Sequence, residues 1–351
     1  MMGAEKVEAA FVTVMSARIG APVRLRTTPE PLSGGFWAQI WKVELDNAPA
    51  PFDQPLVLRV MPDRLAGQRE ALVQRLVADA GFPTPHILTS GSAPDLGEAY
   101  IVMERINGRT PLGGLQLGPE LLGLPKLLRR LPAMLADVTA RLHGIDSGPL
   151  QAAMQDTTVD GSSPPNPFRG RIDTAGTTNP NAGFTEVGRW LDEHAPVPGP
   201  DVMCHGDLHP LNLLIDDHGA TWLLDWTTAT IAPKEMDIGL TAGLLRCAPI
   251  ATPRLLNPPL RPVISRITNR LAESFINEMS ARAPVDRNAV DWWEALQHTR
   301  CLAELTHGRI HPGSIVGPGH PFEIARRSMQ HRLRQLTGIT VTPPPRVTPT
   351  L

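Results

Sequence analysis

Apolar residues at helical spacing mark two segments of the N-terminal third of the chain. The first segment spans residues 7–15 and is followed by Gly20, and the second lies within residues 65–80 and is followed by Gly81. Apolar residues three and four positions apart are typical of an amphipathic helix, and a glycine just after the last of them is a common stop. The apolar positions are Val7, Phe11, Val14 and Met15 in the first segment, and Leu72, Val73, Leu76, Val77 and Ala80 in the second.

Three further segments have the large apolar and β-branched residues typical of strands: residues 36–45, 55–61 and 98–106. In residues 55–61 the side chains alternate, so Val57, Arg59 and Met61 share one face. After residue 106 the pattern becomes mainly helical. The order predicts an α+β fold with an N-terminal lobe of strands and a helix over residues 1–106, followed by a larger helical lobe over residues 107–338.

Two segments lack sustained periodicity. Residues 151–184 are rich in Gly, Pro, Ser, Thr and Asn, which indicates a long loop inserted in the C-terminal lobe. Residues 339–351 contain several prolines, which exclude a helix or a central strand, so we expect a frayed tail.

Composition narrows the classes of partner. The 351 residues carry a formal net charge of -2, which provides no general attraction for nucleic acid or for an anionic membrane. The longest apolar runs fall short of the roughly 20 residues needed to span a bilayer. Cys204, Cys247 and Cys301 are too far apart for a C-x-x-C motif, which disfavours a disulfide framework or zinc knuckle. We therefore expect a cytoplasmic protein with neither nucleic acid nor membrane as partner, and the oligomeric state stays open.

The segment from Cys204 to Trp226 concentrates the candidate chemistry. Two short apolar runs, LNLLID and ATWLLDW, are joined by the turn signal DHG, so the pattern predicts a hairpin. A hairpin of this size would return Asp225 to the neighbourhood of Asn212 and Asp207. Two carboxylates and an amide are oxygen ligands that suit Mg²⁺, and a carboxylate beside that ion can deprotonate an attacking hydroxyl.

A zinc site is the alternative for this segment, with Cys204, His205, His209 and His218 as ligands. Adjacent residues such as Cys204 and His205 rarely direct both side chains at one ion, and a zinc spacing such as H-x₃-H is missing from the sequence. The magnesium interpretation is therefore favoured.

The sequences HGDLHPLN at residues 205–212 and LDW at residues 224–226 resemble the catalytic and metal loops of the aminoglycoside phosphotransferase and choline kinase-like family, small-molecule relatives of the protein kinases. The resemblance implies a bilobal protein-kinase-like fold that uses ATP and Mg²⁺. It implies that Asp207 is the catalytic base, with His205 supporting it in the catalytic loop, and that Asn212 and Asp225 bind the metal. Asp237, in MDIGL, matches the aspartate that ties the catalytic loop down. Only eleven residues separate Asp225 from Asp237, which is too short for a long activation segment.

The same resemblance implies a nucleotide site in the first lobe. It comprises a glycine turn over the phosphates, a strand cation two residues after an apolar residue that packs on adenine, a helical carboxylate that pairs with the cation, and a hinge strand along adenine. The cation is arginine where protein kinases have lysine, and Lys42 on the preceding strand is an alternative. The matching residues are Gly34, Gly35, Val57, Arg59, Glu70, Met103, Glu104 and Ile106.

The resemblance thus predicts transfer of the γ-phosphoryl group of ATP to a hydroxyl of a small molecule. Residues 296–340 contain six arginines and two acidic residues, which disfavours a polycationic acceptor and favours an uncharged or anionic hydroxyl compound, or one with an apolar body. Trp292 and Trp293 could form an aromatic wall for a choline-like cation, but one of two adjacent helical residues normally faces away, and we expect the other to pack in the core. A nucleotide-binding pseudokinase that acts through protein contacts is the alternative, which Arg59 keeps open.

Overall fold

A computed structural model describes residues 3–32, 38–93, 95–111, 124–156, 166–248, 257–311, 314, 316 and 319–345. The chain forms two compact units, and each unit is assembled from three separate segments. Unit 1 comprises Met1–Gly114, Gly148–Val159 and Pro210–Ala229, and unit 2 comprises Leu115–Ser147, Asp160–His209 and Thr230–Leu351.

Unit 1 contains most of the strands. Its described elements are α1 (Ala4–Ile19), β1 (Arg24–Leu25), β2 (Glu30–Leu32), β3 (Gln39–Val43), β4 (Leu45–Asp46), β5 (Leu56–Met61), α2 (Arg64–Asp79), β6 (Ile87–Ala93), β7 (Gly97–Glu104), β8 (Gly108–Arg109), α4 (Gly148–Asp156), β10 (Leu213–Asp216) and β11 (Thr221–Leu223).

Unit 2 is mainly helical. Its described elements are α3 (Leu124–His143), α5 (Asn166–Thr178), α6 (Phe184–Glu193), β9 (Asp201–Cys204), β12 (Thr230–Pro233), α7 (Lys234–Arg246), α8 (Asn257–Arg282), α9 (Arg287–Ile310) and α10 (Pro321–Thr337). Among these described helices, none is both long enough and apolar enough to cross a membrane.

The centre of unit 1 is an antiparallel sheet in the order β2-β3-β5-β7-β6. The alternation predicted for β5 is confirmed. Leu56 and Leu58 belong to a core cluster that includes Phe11 of α1, whereas Met61 belongs to a second cluster with Ala71 of α2. Burying apolar side chains on both faces holds the two helices against the sheet.

Both predicted N-terminal helices are confirmed, and their ends have physical causes. Gly20 closes α1 in the left-handed region, where glycine has no Cβ penalty. Asp63 caps α2 by accepting hydrogen bonds from the N–H groups of Leu65 and Ala66.

The predicted hairpin is also confirmed. Strands β10 and β11 pair antiparallel, with Leu213 opposite Leu223, and β8 pairs with the other edge of β10. Just after β11, the fully buried Trp226 packs edge-on against Phe82, and its indole N–H donates to the hydroxyl of Thr84 at 2.8 Å. The hairpin is therefore tied into unit 1.

The core of unit 2 forms where α7 packs on α9. A Cβ at Gly239 would lie 2.6 Å from the carbonyl oxygen of Val290, so only glycine permits this approach. Trp292 and Trp293 are both buried and pack edge to face, and the indole N–H of Trp292 donates to the carbonyl of Leu191. The expectation of core packing is therefore confirmed for one residue of the pair, whereas the expectation that the other faces away is wrong, because both side chains are buried.

The prediction of a loop over residues 151–184 is wrong for most of that segment. Helix α4 continues to Asp156, α5 occupies residues 166–178, and α6 begins at Phe184. Ile172 and Ala175 of α5 are buried in the unit 2 core, and that packing outweighs the poor helix propensity of the Gly and Thr residues around them. Residues 157–165 lie outside the described part.

The prediction of a frayed tail is wrong for residues 339–345. Val341 is fully buried in the unit 2 core, and its carbonyl accepts a hydrogen bond from the side chain of Gln330. The next residue, Thr342, donates its N–H to the carbonyl of Ala182. Burial of an apolar side chain together with backbone hydrogen bonds orders a segment that forms neither helix nor strand.

Candidate functional site

The catalytic-loop motif lies at the end of β9 in unit 2 and is anchored by Asp237. The carboxylate of Asp237 accepts hydrogen bonds from the N–H groups of His205 at 2.9 Å and Gly206 at 2.6 Å. Gly206 has a φ of 77°, which favours glycine and turns the chain so that both N–H groups point at one carboxylate. The anchor predicted for Asp237 is present.

Asp237 is held in its charged form. Its side chain is buried, which by itself would raise its pKa. His143 lies 3.2 Å away, and its charge and hydrogen bond, together with the two backbone N–H groups, outweigh burial and lower the pKa of Asp237. The ionised carboxylate of Asp237 therefore holds the catalytic loop in place through the N–H groups of His205 and Gly206.

Asp207 is accessible, whereas its neighbour His205 is not. The side chain of Asp207 is 36% exposed, and Nε2 of the partly exposed His209 lies 3.6 Å from Asp207 Oδ2. His205 is fully buried, and its Nδ1 accepts a hydrogen bond from the N–H of Asp207 at 3.3 Å. This geometry gives Asp207 access to a ligand and gives His205 a bracing position.

In unit 1, Arg59 links the strand β5 to the end of the hairpin. Its Nε lies 3.1 Å from Glu70 Oε1 on α2, and its Nη2 lies 2.9 Å from Asp225 Oδ1 and 3.2 Å from Thr227 Oγ1. Thr227 also bonds to Asp225 at 2.7 Å and to Glu70 at 3.0 Å. The predicted pair between Arg59 and Glu70 is present, as part of a four-residue cluster.

The charges of this cluster are strongly coupled. Burial by itself would lower the pKa of Arg59, but the adjacent Glu70 and Asp225 raise it. Burial raises the pKa of Glu70 to about 7, against the opposing attraction of Arg59. Glu70 is therefore only partly ionised near neutral pH, and Arg59 is shared between Glu70 and Asp225.

Asn212 and Asp225 lie next to each other in unit 1. The N–H of Leu224 donates to the carbonyl of Asn212 at 2.9 Å, which brings the residue before Asp225 against Asn212. Asp225 has a φ of 66°, a left-handed conformation that is uncommon outside glycine and clusters at functional sites. Both side chains offer oxygen ligands of the kind that Mg²⁺ prefers.

The residues predicted along adenine share one region of the sheet. Val57 and Met103 are direct partners across β5 and β7, so their side chains lie on the same face. Glu104 ends β7 and donates its N–H to the carbonyl of His86, while Ile106 is half-buried just beyond. Gly34 and Gly35 lie outside the described residues.

Lys42, the alternative phosphate cation, has other partners. Its amino group lies 3.3 Å from Glu44 and 3.9 Å from Glu30. Arg59 is therefore the better candidate for the strand cation.

The zinc alternative gains no support from the described residues. There, the metal-competent group of side chains joins Cys204 to His143 and Asp237, not to the three predicted histidines. The thiol of Cys204 donates to the carbonyl of Ala232, and burial raises its pKa well above the ordinary value. Cys204 is thus a packed thiol.

Two participants were missed by the sequence interpretation. Thr227 completes the cluster around Arg59, and His143 pairs with Asp237. Thr227 stands two residues after Asp225, which is the local spacing that lets a hydroxyl reach the carboxylate. His143 has no such signal, because it lies 94 residues from Asp237 along the chain.

Comparison with known proteins identifies the family to which this chain belongs. The sequence model of the phosphotransferase enzyme family matches residues 28–257. The uncharacterized protein YcbJ of Bacillus subtilis (strain 168) is 32% identical over 158 residues, which are 43% of this chain and 49% of that protein. The match therefore spans about half the length of this curated relative.

Solved structures share the fold at low identity. An ethanolamine kinase of Plasmodium vivax is 13% identical with a TM-score of 0.55, and the match covers 89% of this chain and 83% of that one. Macrolide 2'-phosphotransferase type I is 15% identical with a TM-score of 0.54, over 96% and 97% of the two chains. A thermostable mutant of aminoglycoside phosphotransferase APH(4)-Ia, in ternary complex with ADP and hygromycin B, is 16% identical with a TM-score of 0.54, over 94% and 98%. The predicted α+β, protein-kinase-like fold is confirmed.

Proposed function

Because the chain belongs to the phosphotransferase enzyme family, we propose that it transfers the γ-phosphoryl group of ATP to a hydroxyl of a small molecule. The observation that carries the proposal is the cluster of Arg59, Glu70, Asp225 and Thr227. It joins the strand cation, its carboxylate partner and the metal-loop aspartate in one connected set, as phosphoryl transfer by a kinase requires.

We propose a role for each side chain of the cluster and for Asn212. The guanidinium of Arg59 is fixed by Glu70, so it is preorganised to attract a phosphate oxygen without losing conformational freedom on binding. Asn212 and Asp225 are the residues that would hold Mg²⁺, which when bound neutralises charge on the nucleotide phosphates. Thr227 fixes the carboxylate of Asp225 by a hydrogen bond.

Asp207 is the proposed base. Its exposed carboxylate can accept the proton of an acceptor hydroxyl, while the buried His205 and the charged Asp237 hold the loop in place. Most of the rate acceleration would come from positioning, because phosphoryl transfer needs little covalent participation from the protein.

A nucleotide donor is supported by the structural neighbour that was solved with ADP. In this chain, Val57 and Met103 provide an apolar wall, and the backbone at Glu104 and Ile106 provides hydrogen-bonding groups for adenine. The two glycines at residues 34 and 35 are proposed to cover the phosphates.

The acceptor is proposed only as a small hydroxylated molecule. The excess of arginines in residues 296–340 was used as an argument against a polycationic acceptor. That argument is weaker in the structure, because several of these arginines are already paired with carboxylates. Arg309 pairs with Glu323, and Arg332 pairs with Glu294 and Asp291, two carboxylates that lie outside that window. An uncharged acceptor and a charged one therefore both stay open.

The test is a phosphate-transfer screen with Mg·ATP over hydroxylated metabolites and antibiotics. We expect at least one acceptor to be phosphorylated. Asp207→Asn should abolish transfer while Mg·ATP still binds, whereas Asp225→Asn should weaken Mg²⁺-dependent nucleotide binding itself. The matched control is Asp217→Asn, at an exposed turn of the same segment, which should leave both measurements unchanged.

Two outcomes would count against the proposal. If Mg·ATP binds but neither transfer nor slow, Asp207-dependent hydrolysis is detected, the pseudokinase alternative is favoured. If saturating Mg·ATP fails to shift the thermal unfolding of the protein, the proposal that the protein is a kinase loses its main support.

A further inference from the structure

Unit 2 contains a cavity of about 650 Å³ among α7, α8 and α10. This volume is within the range of pockets that hold small organic ligands. Its wall includes residues at the end of α7, along one side of α8 and along α10, and none of them belongs to the site proposed for nucleotide or for the catalytic base.

The cavity wall is rich in cations. Four of its side chains are arginines, and Glu323 is the carboxylate among the described wall residues. The arginines are Arg246, Arg326, Arg327 and Arg332.

The surrounding ion pairs do not neutralise this excess. Arg246 and Arg332 share Glu294, and Arg246 also contacts Glu273, which in turn pairs with Arg287. Arg332 also contacts Asp291, whereas Glu294 and Glu273 each serve more than one cation. His298, which lies 3.4 Å from Glu294, has its pKa raised to about 9, so it adds another positive charge at neutral pH.

The carboxylate in the wall is also already engaged. Glu323 pairs with Arg309, which lies outside the cavity wall, and Nε of Arg326 is 3.6 Å from it. Arg327 follows on the exposed side of α10. Within the described residues, the cavity is therefore a region of surplus positive charge, which favours an anion.

Hydrogen-bonding side chains other than arginine give the cavity a second property. Hydroxyl, amide and imidazole side chains lie beside the arginines, and these groups can exchange hydrogen bonds with ligand hydroxyls. They are Ser265, Thr268, Asn269, Ser328, His331 and Gln335.

We infer that this cavity binds a small hydroxylated organic anion, such as a sugar carrying a carboxylate or a phosphate. The guanidiniums supply planar, charge-assisted hydrogen bonds to the anionic group, and the hydroxyl, amide and imidazole side chains bind the hydroxyls. The inference is independent of phosphoryl transfer, because it requires neither nucleotide nor Mg²⁺.

The experiment is calorimetric titration of the full chain at low ionic strength, without nucleotide or metal. The probes are gluconate, glucose 6-phosphate, inorganic phosphate and neutral glucose. We expect gluconate or glucose 6-phosphate to bind at least about tenfold more tightly than both glucose and inorganic phosphate, since each single-function probe lacks one set of contacts. Comparison of the two organic anions shows whether carboxylate or phosphate is preferred.

Charge reversal on α10 locates the site. Arg327→Glu should weaken binding by about tenfold or more, because it removes one charge-assisted contact and adds a repulsive carboxylate. Arg334→Glu is the matched control, since Arg334 is also exposed, lies two helical turns along α10 and is outside the cavity wall. It should leave the affinity within about twofold.

Three results would each overturn the inference. One is that neither organic anion binds at concentrations up to roughly 10 mM. Another is that glucose binds as tightly as the anions. The third is equal weakening by Arg327→Glu and Arg334→Glu, which would indicate a general surface-charge effect. Circular dichroism of both variants checks that the fold is retained.

Discussion

Arg59 shows how much one side chain does in unit 1. Its two contacting nitrogens reach carboxylates on different elements, Glu70 on α2 and Asp225 after β11. A lysine has one ammonium group and cannot reproduce the planar fork. We therefore predict that Arg59→Lys keeps the charge but weakens Mg·ATP binding by about tenfold, the loss of one charged hydrogen bond.

Titration of Mg·ATP into the two proteins measures this change. Arg64→Lys is the control, because Arg64 is exposed at the start of α2. Equal affinity of Arg59→Lys and the unmodified protein would show that charge alone is sufficient, and that the fork geometry has no role in nucleotide binding.

His298 makes the stability of unit 2 depend on pH. Burial by itself would lower the pKa of His298, but Cys247 and Glu294 raise it to about 9. The folded protein therefore holds an extra proton between the ordinary histidine value near 6.5 and about 9. The stabilisation is complete below pH 6.5 and is lost as the pH rises through 9, by on the order of 3 kcal/mol.

Urea unfolding at several pH values between 6 and 9.5 measures this loss. The free energy of unfolding should fall across the range, and His298→Gln should flatten that slope. His194→Gln, at the exposed end of α6, should keep it. An unchanged slope in His298→Gln would show that other groups cause the pH dependence.

At the scale of elements, local patterns were sufficient where one short segment determines the structure. The 3.6-residue period and the following glycine located α1 and α2, the two-residue period sorted the faces of β5, and the DHG turn located the hairpin. A buried strand arginine requires an anion, but it was the family resemblance that identified Glu70 as the partner of Arg59. These features are encoded within a few residues of one another.

Local sequence patterns failed to predict elements whose structure depends on packing against residues far away in the sequence. Helix α5 has few helix-favouring residues, and its order depends on burying Ile172 and Ala175 in a core formed by other helices. The strand β6 was not recognised either, since its residues ILTSGSA are mostly small and polar and its pairing with β7 orders it. His143 became visible only when the fold brought it to Asp237.

The ordered C-terminal segment allows a test of such packing. Val341 is fully buried, so Val341→Ala should lower the free energy of unfolding by about 1–3 kcal/mol through lost apolar burial and a small cavity. Thr340→Ala, at the exposed neighbouring position, should change it by less than about 0.5 kcal/mol. Chemical denaturation measures both. A Val341→Ala protein as stable as the Thr340→Ala protein would contradict the burial of this segment.

At the scale of the whole molecule, neither unit is one continuous piece of chain. Unit 1 recruits the hairpin segment Pro210–Ala229, which includes Asp225 and the buried Trp226. Trp226 packs on Phe82 and bonds to Thr84, and the N–H of Leu223 donates to the carbonyl of Pro83. An N-terminal fragment without this segment would expose the apolar surface that Trp226 covers.

We therefore predict that a fragment of residues 1–114 does not fold cooperatively, whereas the same fragment joined through a flexible linker to residues 210–229 gains stability. Replacing Trp226 by alanine in the joined fragment should remove most of that gain, because truncating a buried tryptophan costs about 3–5 kcal/mol. Amide dispersion in NMR spectra and the cooperativity of urea unfolding report the outcome.

The matched control replaces the exposed Leu211 by alanine in the same fragment, since its truncation uncovers little buried surface. Cooperative unfolding of residues 1–114 alone, with no gain from the hairpin, would mean that the first lobe is specified by its continuous segment. In that case Arg59 and Glu70 would form their pair without Asp225. The segment Pro210–Ala229 would then not be required for unit 1 to fold.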